Sequence, residues 1–146
     1  MYDFDLCNKV VLITGATGLL GTQYAECLAK NNAKLILCDI DLEKAQILAE
    51  RLSSKYNSQA VGLHCDVRDK DSIVACVERG VTQFGGLTSV INNAAATGEF
   101  LMKRGDVFSN FADFDLGIWE ETIKTNLSGP FLVAQAVEKH LVKKSV

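Results

Sequence analysis

A short apolar run that leads into three spaced glycines constrains the fold of this chain more than any other feature. Residues 10–21 read VVLITGATGLLG, with Gly15, Gly18 and Gly21 at three-residue intervals. Four apolar, mostly β-branched residues predict a strand, and the glycines predict a tight turn that opens a helix. Because glycine lets backbone N–H groups approach an anion at the positive end of that helix, we expect a dinucleotide pyrophosphate there. A plain tight connection is the alternative interpretation.

Composition limits the class of protein. The chain has 146 residues, 48% of them hydrophobic, and a single proline, which is typical of one compact domain with a core. Its net charge is −3 with both signs interspersed, so we expect no nucleic-acid or membrane surface. The sequence has no apolar stretch of membrane-spanning length, and its first residues lack an apolar targeting core. We expect a cytoplasmic protein.

The cysteines and histidines form no recognisable ligand or disulfide pattern. The five cysteines are odd in number, widely spread and never spaced C-x-x-C, and the two histidines lie far apart in sequence. Most of the cysteines fall inside predicted strands or helices. We therefore interpret them as reduced core residues and expect neither a disulfide framework nor a metal site.

Strands and helices are predicted to alternate along the chain. The predicted strands are residues 10–13, 34–39, 60–67 and 87–92, and the predicted helices are 18–31, 41–55, 69–84 and 116–142. Continuous apolar strands that alternate with helices favour an α/β fold, a Rossmann-like doubly wound parallel sheet covered on both faces. We expect this sheet to be truncated after its fourth strand and the long helix that follows.

Several helix details can also be predicted. Asp41 and Asp115 are expected to cap the helices that follow them, and the pair at 129–130, Gly-Pro, is expected to bend the last helix. The expected apolar face of the first helix comprises Leu20, Tyr24, Cys27 and Leu28. The expected stripe of the last helix comprises Trp119, Ile123, Leu127, Leu132, Val133, Ala136, Val137 and Leu141.

An acidic residue ends the second predicted strand. Asp39 follows Gly21 by 18 residues, close to the spacing at which a carboxylate accepts hydrogen bonds from adenosine ribose hydroxyls. A carboxylate there would repel a 2′-phosphate, and no Lys or Arg lies in the glycine turn or directly beside Asp39. We therefore expect NAD in preference to NADP. Capping of the next helix is the alternative role, which we assign to Asp41.

Five separated motifs, in phase with the predicted elements, carry a resemblance to a known family. They are TGATGLLG at residues 14–21, Asp39, Cys65-Asp66-Val67, Asn92-Asn93-Ala94-Ala95 and WEETIKTNLSGPF at residues 119–131. Together they resemble a short-chain dehydrogenase/reductase, and the resemblance covers nearly the whole chain. It implies an NAD-dependent oxidoreductase that transfers a hydride between the nicotinamide and an unknown small-molecule substrate with a carbonyl or alcohol group.

The resemblance also implies roles for particular residues. The expected cofactor contacts are Gly15, Thr17, Gly18, Leu20 and Gly21 for the pyrophosphate, Asp39 and Ile40 for the ribose, Asp66 and Val67 for the adenine, and Asn92, Ala94 and Ala95 towards the nicotinamide. Asn126 matches the family's active-site asparagine, which helps to hold a water-linked proton path to a catalytic lysine. The last helix usually joins subunits, so the resemblance implies a homodimer.

Structural alternatives exist for three of these polar residues. Asp66 can cap the helix that begins near Asp69. Asn93 is expected mainly to form a turn or to tie neighbouring strands together. Asn126 can bond backbone carbonyls at the bend of the last helix.

The glycine spacing leaves the subfamily open. G-x-x-G-x-x-G matches the longer branch that includes sugar-nucleotide epimerases and dehydratases, whereas Asn-Asn-Ala-Ala and Asn126 match the shorter reductase branch. An irregular segment between Ala96 and Gly117 contains Lys103 and Arg104. We hypothesise that one of them meets a negatively charged group on the substrate; two solvated charges on a long loop are the alternative.

The family's proton-transfer pair is missing from this sequence. Family members use a Tyr-x-x-x-Lys, in which the lysine lowers the pKa of the tyrosine. Tyr2, Tyr24 and Tyr56 are the tyrosines here, and none has a lysine four residues later. We therefore expect residues 1–146 to be an incomplete NAD(P)-binding Rossmann domain, without its carboxyl-terminal catalytic half and inactive alone. A non-catalytic nucleotide-binding or interaction module is the alternative.

Overall fold

The fold is built on a parallel sheet of four strands. The structure is a computed structural model that describes residues 5–102 and 110–141. The strand order is β3-β2-β1-β4, and the strands are β1 (Val10–Thr14), β2 (Lys34–Asp39), β3 (Ala60–His64) and β4 (Ser89–Ile91). All three pairings are parallel. The predicted α/β, Rossmann-like fold is confirmed.

Helices cover both faces of the sheet. They are α1 (Leu19–Lys30), α2 (Leu42–Tyr56), α3 (Lys70–Phe84), α4 (Gly98–Met102), α5 (Leu116–Ile123) and α6 (Gly129–Glu138), with a 3₁₀ turn at Phe111–Asp113 and a π-helical segment at Lys124–Ser128. Alternate residues of β1 point to opposite faces. Leu12 packs in a cluster with residues of α3 and α6, whereas Ile13 packs with residues of α1 and α2.

Side-chain caps fix three of the helix starts. Asp41, Asp69 and Asp115 precede α2, α3 and α5, and each carboxylate accepts a bond from a backbone N–H in the first turn. The predicted caps at Asp41 and Asp115 are therefore confirmed, and the cap of α3 is Asp69 and not Asp66.

The third and fourth strands are shorter than predicted. β3 ends at His64 instead of residue 67, although Cys65 N still donates to Asp39 O at 2.8 Å. The chain leaves the sheet at Asp66, whose carboxylate accepts a hydrogen bond from the backbone N–H of Arg68 in the loop that follows. Likewise β4 spans only three residues, because the backbone N–H of Asn93 turns to the hydroxyl of Thr14.

The predicted apolar face of the first helix is wrong at three of its four residues, since only Leu28 packs against the core. Gly21, Ala25 and Ala29 are the buried residues of α1, whereas Leu20 and Tyr24 are exposed. A Cβ on Gly21 would lie 2.3 Å from Gly15 O, so the helix approaches the turn too closely for a larger residue. Small residues therefore face the sheet, and Leu20 and Tyr24 lie outside the core face.

The long last helix is interrupted by a π-helical segment just before the predicted bend at residues 129–130. α5 passes through the π-helical segment into α6, which has Pro130 in its first turn. Proline lacks the N–H that an α-helix would bond at that position, and the wider π turn shifts the helical phase before it. Val133 and Val137 are buried as expected, whereas Trp119 and Leu127 are more than half exposed, contrary to the predicted stripe.

Three of the five thiols are in the core. Cys38, Cys65 and Cys76 are buried, with Cys38 Sγ 3.1 Å from Cys76 Sγ, whereas Cys7 and Cys27 are exposed, contrary to prediction. Over the described residues, no helix combines the length and apolar character needed to cross a membrane.

Candidate nucleotide-binding site

The predicted cofactor residues meet at one edge of the sheet. The four strands are parallel, so their carboxyl ends share that edge, where ligands of open α/β sheets bind. In the register of the sheet, Thr14 pairs with Cys38 and Asp39 pairs with His64. The glycine turn, Asp39 and Asp66 therefore lie side by side, and the segment after β4 lies across β1 from Asp39.

Two glycines of the turn are required by close packing. Gly15 has φ +60°, and a Cβ there would lie 2.8 Å from Ala94 Cα in the segment that follows β4. Left-handed backbone and close approach both exclude larger side chains at this position. Gly21 admits none either, because of the short approach to Gly15 O. The turn is thus pressed against both its own helix and the neighbouring strand.

Gly18 leaves the start of α1 open. It is exposed, and a Cβ added to it would contact only Gly15 O, at 3.4 Å. The first intrahelical bond runs from Thr22 N to Gly18 O, so the amides of residues 19–21 have no acceptor within the helix. Among the described residues no side chain caps this helix start, and Leu20 is exposed beside it. Uncapped amides at a helix N-terminus fit a pyrophosphate.

Asp39 is fixed to the glycine turn. Its side chain is 8% exposed, and Oδ2 accepts bonds from Thr17 N at 2.9 Å and from Thr17 Oγ1 at 2.8 Å. Oδ1 accepts from Asp41 N at 3.2 Å. A carboxylate has about four acceptor positions, so one remains for a ligand. Ile40, the next residue, is exposed at the same edge.

Asp66 and Val67 occupy different environments. The carboxylate of Asp66 is partly exposed and bonds Arg68, whose guanidinium lowers the pKa of that carboxyl. Val67 is buried in the core, where a Cβ on Gly129 would lie 3.1 Å from its Cγ2. Both residues follow β3 at the carboxyl edge of the sheet, and of the two only Asp66 has a partly exposed side chain.

Asn93 and Thr14 join β1 to the segment after β4. Asn93 Nδ2 donates to Thr14 O at 3.1 Å and to Gly15 O at 2.9 Å. The Thr14 hydroxyl oxygen accepts from the amides of Asn93 and Ala94, each at 3.1 Å. The predicted role of Asn93 as a tie between strands is confirmed. Asn92 and Ala95, by contrast, are exposed, and Ala94 is half-buried against Gly15.

Asn126 holds the same segment from the opposite side. It lies in the π-helical segment, where its Oδ1 accepts from Ala96 N at 2.7 Å and its Nδ2 donates to Ala96 O at 3.1 Å. The amide thus bonds a backbone group of another segment and not the carbonyls of its own bend. Lys103 and Arg104 lie outside the described residues.

Sequence reasoning missed two residues of this edge. The guanidinium of Arg68 bonds Asp66 and also Glu121 of α5, whose position 53 residues later gives no local signal. An Asp-x-Arg spacing after a predicted strand could have indicated the first contact. The second depends on how α5 packs.

Comparison with known proteins agrees with this geometry. Residues 9–146 match the family described as short chain dehydrogenase. This chain belongs to that family. The resemblance inferred from its motifs is confirmed, and members of the family bind a nicotinamide dinucleotide and a substrate.

Individual relatives cover nearly all of the chain. The chain is 30% identical to D-threitol dehydrogenase of Mycolicibacterium smegmatis over 97% of its length and 51% of the relative. It is 33% identical to 5-keto-D-gluconate 5-reductase of Escherichia coli, over 97% of the chain and 52% of the relative. A short-chain type dehydrogenase/reductase from Mycobacterium marinum superimposes with a TM-score of 0.82 at 25% identity, over 94% of this chain and 52% of that one. The chain spans about half the length of these relatives.

Proposed function

We propose that this chain binds NAD and forms the cofactor-binding part of an oxidoreductase. The observation that carries the proposal is Asp39, a nearly buried carboxylate bonded to the same turn that presents the open start of α1. That arrangement holds a sugar acceptor at a fixed distance from an anion site. The nicotinamide, when bound, exchanges a hydride with a carbonyl or alcohol carbon.

Different residues of this sheet edge would contact different parts of the cofactor. We propose that the following residues contact the dinucleotide: Gly15, Thr17, Gly18, Leu20, Gly21, Asp39, Ile40, Asp66, Val67, Asn92, Ala94 and Ala95. Thr17 acts through Asp39, because both its amide and its hydroxyl donate to that carboxylate. Asn126 would support the nicotinamide end by holding Ala96, and any proton path would pass beside that contact.

The charges around Asp39 favour NAD over NADP. A 2′-phosphate would lie against the Asp39 carboxylate, and like charges at that range repel strongly. Lys44, in the first turn of α2, is a cation on which the charge of Asp39 acts, but its Nζ pairs with Asp41 Oδ2 at 2.9 Å. The hydrogen bond to Asp41 is also the main cause that raises the pKa of Lys44, with a smaller attraction from Asp39. The ammonium group of Lys44 is thus already paired with Asp41 and does not offset the repulsion between Asp39 and a 2′-phosphate.

Titration with the two reduced cofactors tests this proposal. We expect NADH to bind at least about tenfold more tightly than NADPH, because the carboxylate repels the extra phosphate. Asp39→Asn should narrow that preference by weakening NADH and strengthening NADPH. Asp71→Asn, an exposed carboxylate at the start of α3, is the matched control and should leave both dissociation constants unchanged. Equal binding of the two cofactors by the unmodified chain would contradict the proposal.

We also propose that a second copy of this chain covers part of α5 and α6. Leu116, Trp119, Leu127 and Phe131 are each more than half exposed on this stretch. Exposed apolar side chains that lie together mark interaction surfaces more often than apolar side chains that are exposed singly. The family resemblance favours a homodimer through the same helices.

A further inference from the structure

The guanidinium of Arg68 joins two carboxylates from different parts of the chain. Arg68 Nε and Nη2 donate to the two oxygens of Asp66 at 2.8 and 2.7 Å, and Nη1 donates to Glu121 Oε1. The three side chains are 19, 24 and 17% exposed. A fork of parallel bonds in a mostly buried setting fixes direction as well as distance.

The two bonds from the guanidinium leave Asp66 with little capacity to accept further hydrogen bonds. Oδ1 accepts from the backbone N–H of Arg68 at 2.9 Å and from its Nε, while Oδ2 accepts from Nη2. Of about four acceptor positions on a carboxylate, these bonds occupy three. One position remains, on Oδ2, and its direction is set by the plane of the guanidinium.

Glu121 holds the guanidinium in that plane. Its carboxylate bonds the remaining terminal nitrogen, Nη1, from α5. Glu121 precedes Asn126 by five residues on the same run of helix. The guanidinium of Arg68 thus connects the loop after β3 to the helix that carries Asn126.

We propose that Arg68 and Glu121 are positioning residues for the adenine. They orient Asp66 so that its free acceptor position on Oδ2 receives the exocyclic amine of the adenine ring. The inference rests on the proposed binding of NAD. It adds to that proposal two residues that act through Asp66 and need no contact with the cofactor.

The test compares NADH with reduced nicotinamide hypoxanthine dinucleotide, which carries a carbonyl oxygen where adenine carries its amine. A carboxylate accepts from the amine and repels the carbonyl, so the unmodified chain should prefer NADH by about tenfold. In Arg68→Gln the preference should fall to less than about twofold, because Asp66 loses its fixed direction. Arg68→Lys should restore only part of it, since an ammonium cannot donate in a fork.

Glu121→Gln is the second variant, and it keeps the bonds between Asp66 and Arg68. This variant should lower the preference for NADH to a value between those of the unmodified chain and Arg68→Gln. It also provides the test if Arg68→Gln fails to fold. The matched control is Lys139→Gln, which breaks the ion pair with Glu78 between α6 and α3, 2.7 Å long and outside the nucleotide edge. It should leave the preference intact.

Several outcomes overturn the inference. A preference that is unchanged in folded Arg68→Gln and Glu121→Gln would do so, as would equal weakening of both dinucleotides, which a merely structural role predicts. An unmodified chain that binds both dinucleotides equally overturns the inference alone. A chain that binds neither overturns the proposed function with it.

Discussion

At the scale of single residues, Thr17 illustrates how the turn prepares a carboxylate for binding. Its amide and hydroxyl both donate to Asp39 Oδ2, so a nearly buried negative charge has partners before any ligand arrives. An unpartnered buried carboxylate would be strongly unfavourable. The glycine motif was predictable from the sequence. The contact between Thr17 and Asp39 was not, because it links residues 22 positions apart.

Replacement of the Thr17 hydroxyl should therefore destabilise the fold. We expect Thr17→Val to lower the free energy of unfolding by about 1.5–3 kcal/mol, the range for a hydrogen bond to a charged group. Urea denaturation measures it. Thr82→Val is the matched control, because Thr82 is exposed and its hydroxyl donates to the backbone oxygen of Glu78 in the same helix. Equal effects of the two changes would show that the Asp39 contact contributes nothing special.

At the scale of elements, an ion pair and a hydrogen bond link α1 to α2. Glu26 Oε1 accepts from Lys55 Nζ at 2.8 Å and from the Tyr56 hydroxyl at 2.5 Å. The hydrogen bond from Lys55, followed by that from Tyr56, lowers the pKa of Glu26 from 4.5 to about 2. A lowered carboxyl pKa contributes stability that is complete above its unfolded value and is lost as the pH falls towards the folded value.

Glu26→Gln should reveal this contribution. We expect the variant to be less stable than the parent above pH 4.5, and the difference to shrink as the pH falls from 4.5 to about 2. Urea denaturation of both proteins at several pH values measures it. Glu50→Gln, on the exposed side of α2, controls for the general loss of a carboxylate. A difference that grows towards low pH would contradict the assigned sign.

The packing of α2 on β3 gives a second prediction at this scale. A Cβ on Gly62 would lie 2.3 Å from the backbone carbon of Ala45 and 2.4 Å from its oxygen. Overpacking against backbone forces the helix away from the sheet, so Gly62→Ala should destabilise by about 2 kcal/mol or more. Gly98→Ala is the control, since no atom of the described residues lies within 4 Å of the added Cβ. Thermal unfolding of both variants measures it, and two similar midpoints would exclude close packing as the reason for glycine.

Element types were predictable from the sequence, whereas faces and ends were less so. The alternation of apolar strands and helices predicted the sheet, and Asp41 and Asp115 marked helix starts correctly. The buried face of α1 was mispredicted because its core residues are Gly and Ala, which carry little hydrophobic signal. The stripe of the last helix was wrong at Trp119, because periodicity assumes one uninterrupted helix and the π-helical segment breaks that assumption.

At the scale of the whole molecule, family membership and geometry point to the same edge. Sequence motifs placed the glycine turn, Asp39, Asp66 and Asn93 there because the carboxyl ends of parallel strands converge. The link from Arg68 to Glu121 needed tertiary structure, since it depends on where α5 crosses the loop after β3.

The proposed self-association is also a property of the whole molecule. Phe131→Asp should shift the chain towards a monomer, because a charge on an exposed apolar side chain of α6 opposes burial against a second copy. Light scattering after size-exclusion chromatography measures the mass. Gln135→Asp, on the same helix and also exposed, is the control. A monomeric parent protein would contradict the proposed dimer.

Hydrogen–deuterium exchange with and without saturating NADH tests most directly whether the glycine turn and Asp39 bind the dinucleotide together. We expect slower exchange in peptides that cover residues 14–22 and 38–41, because amides at the start of α1 and beside Asp39 gain partners or lose contact with water. Unchanged exchange in those peptides with NADH bound would contradict it. So would protection confined to the groove between α3 and α6, which is lined by Val74, Glu78, Leu132 and Gln135.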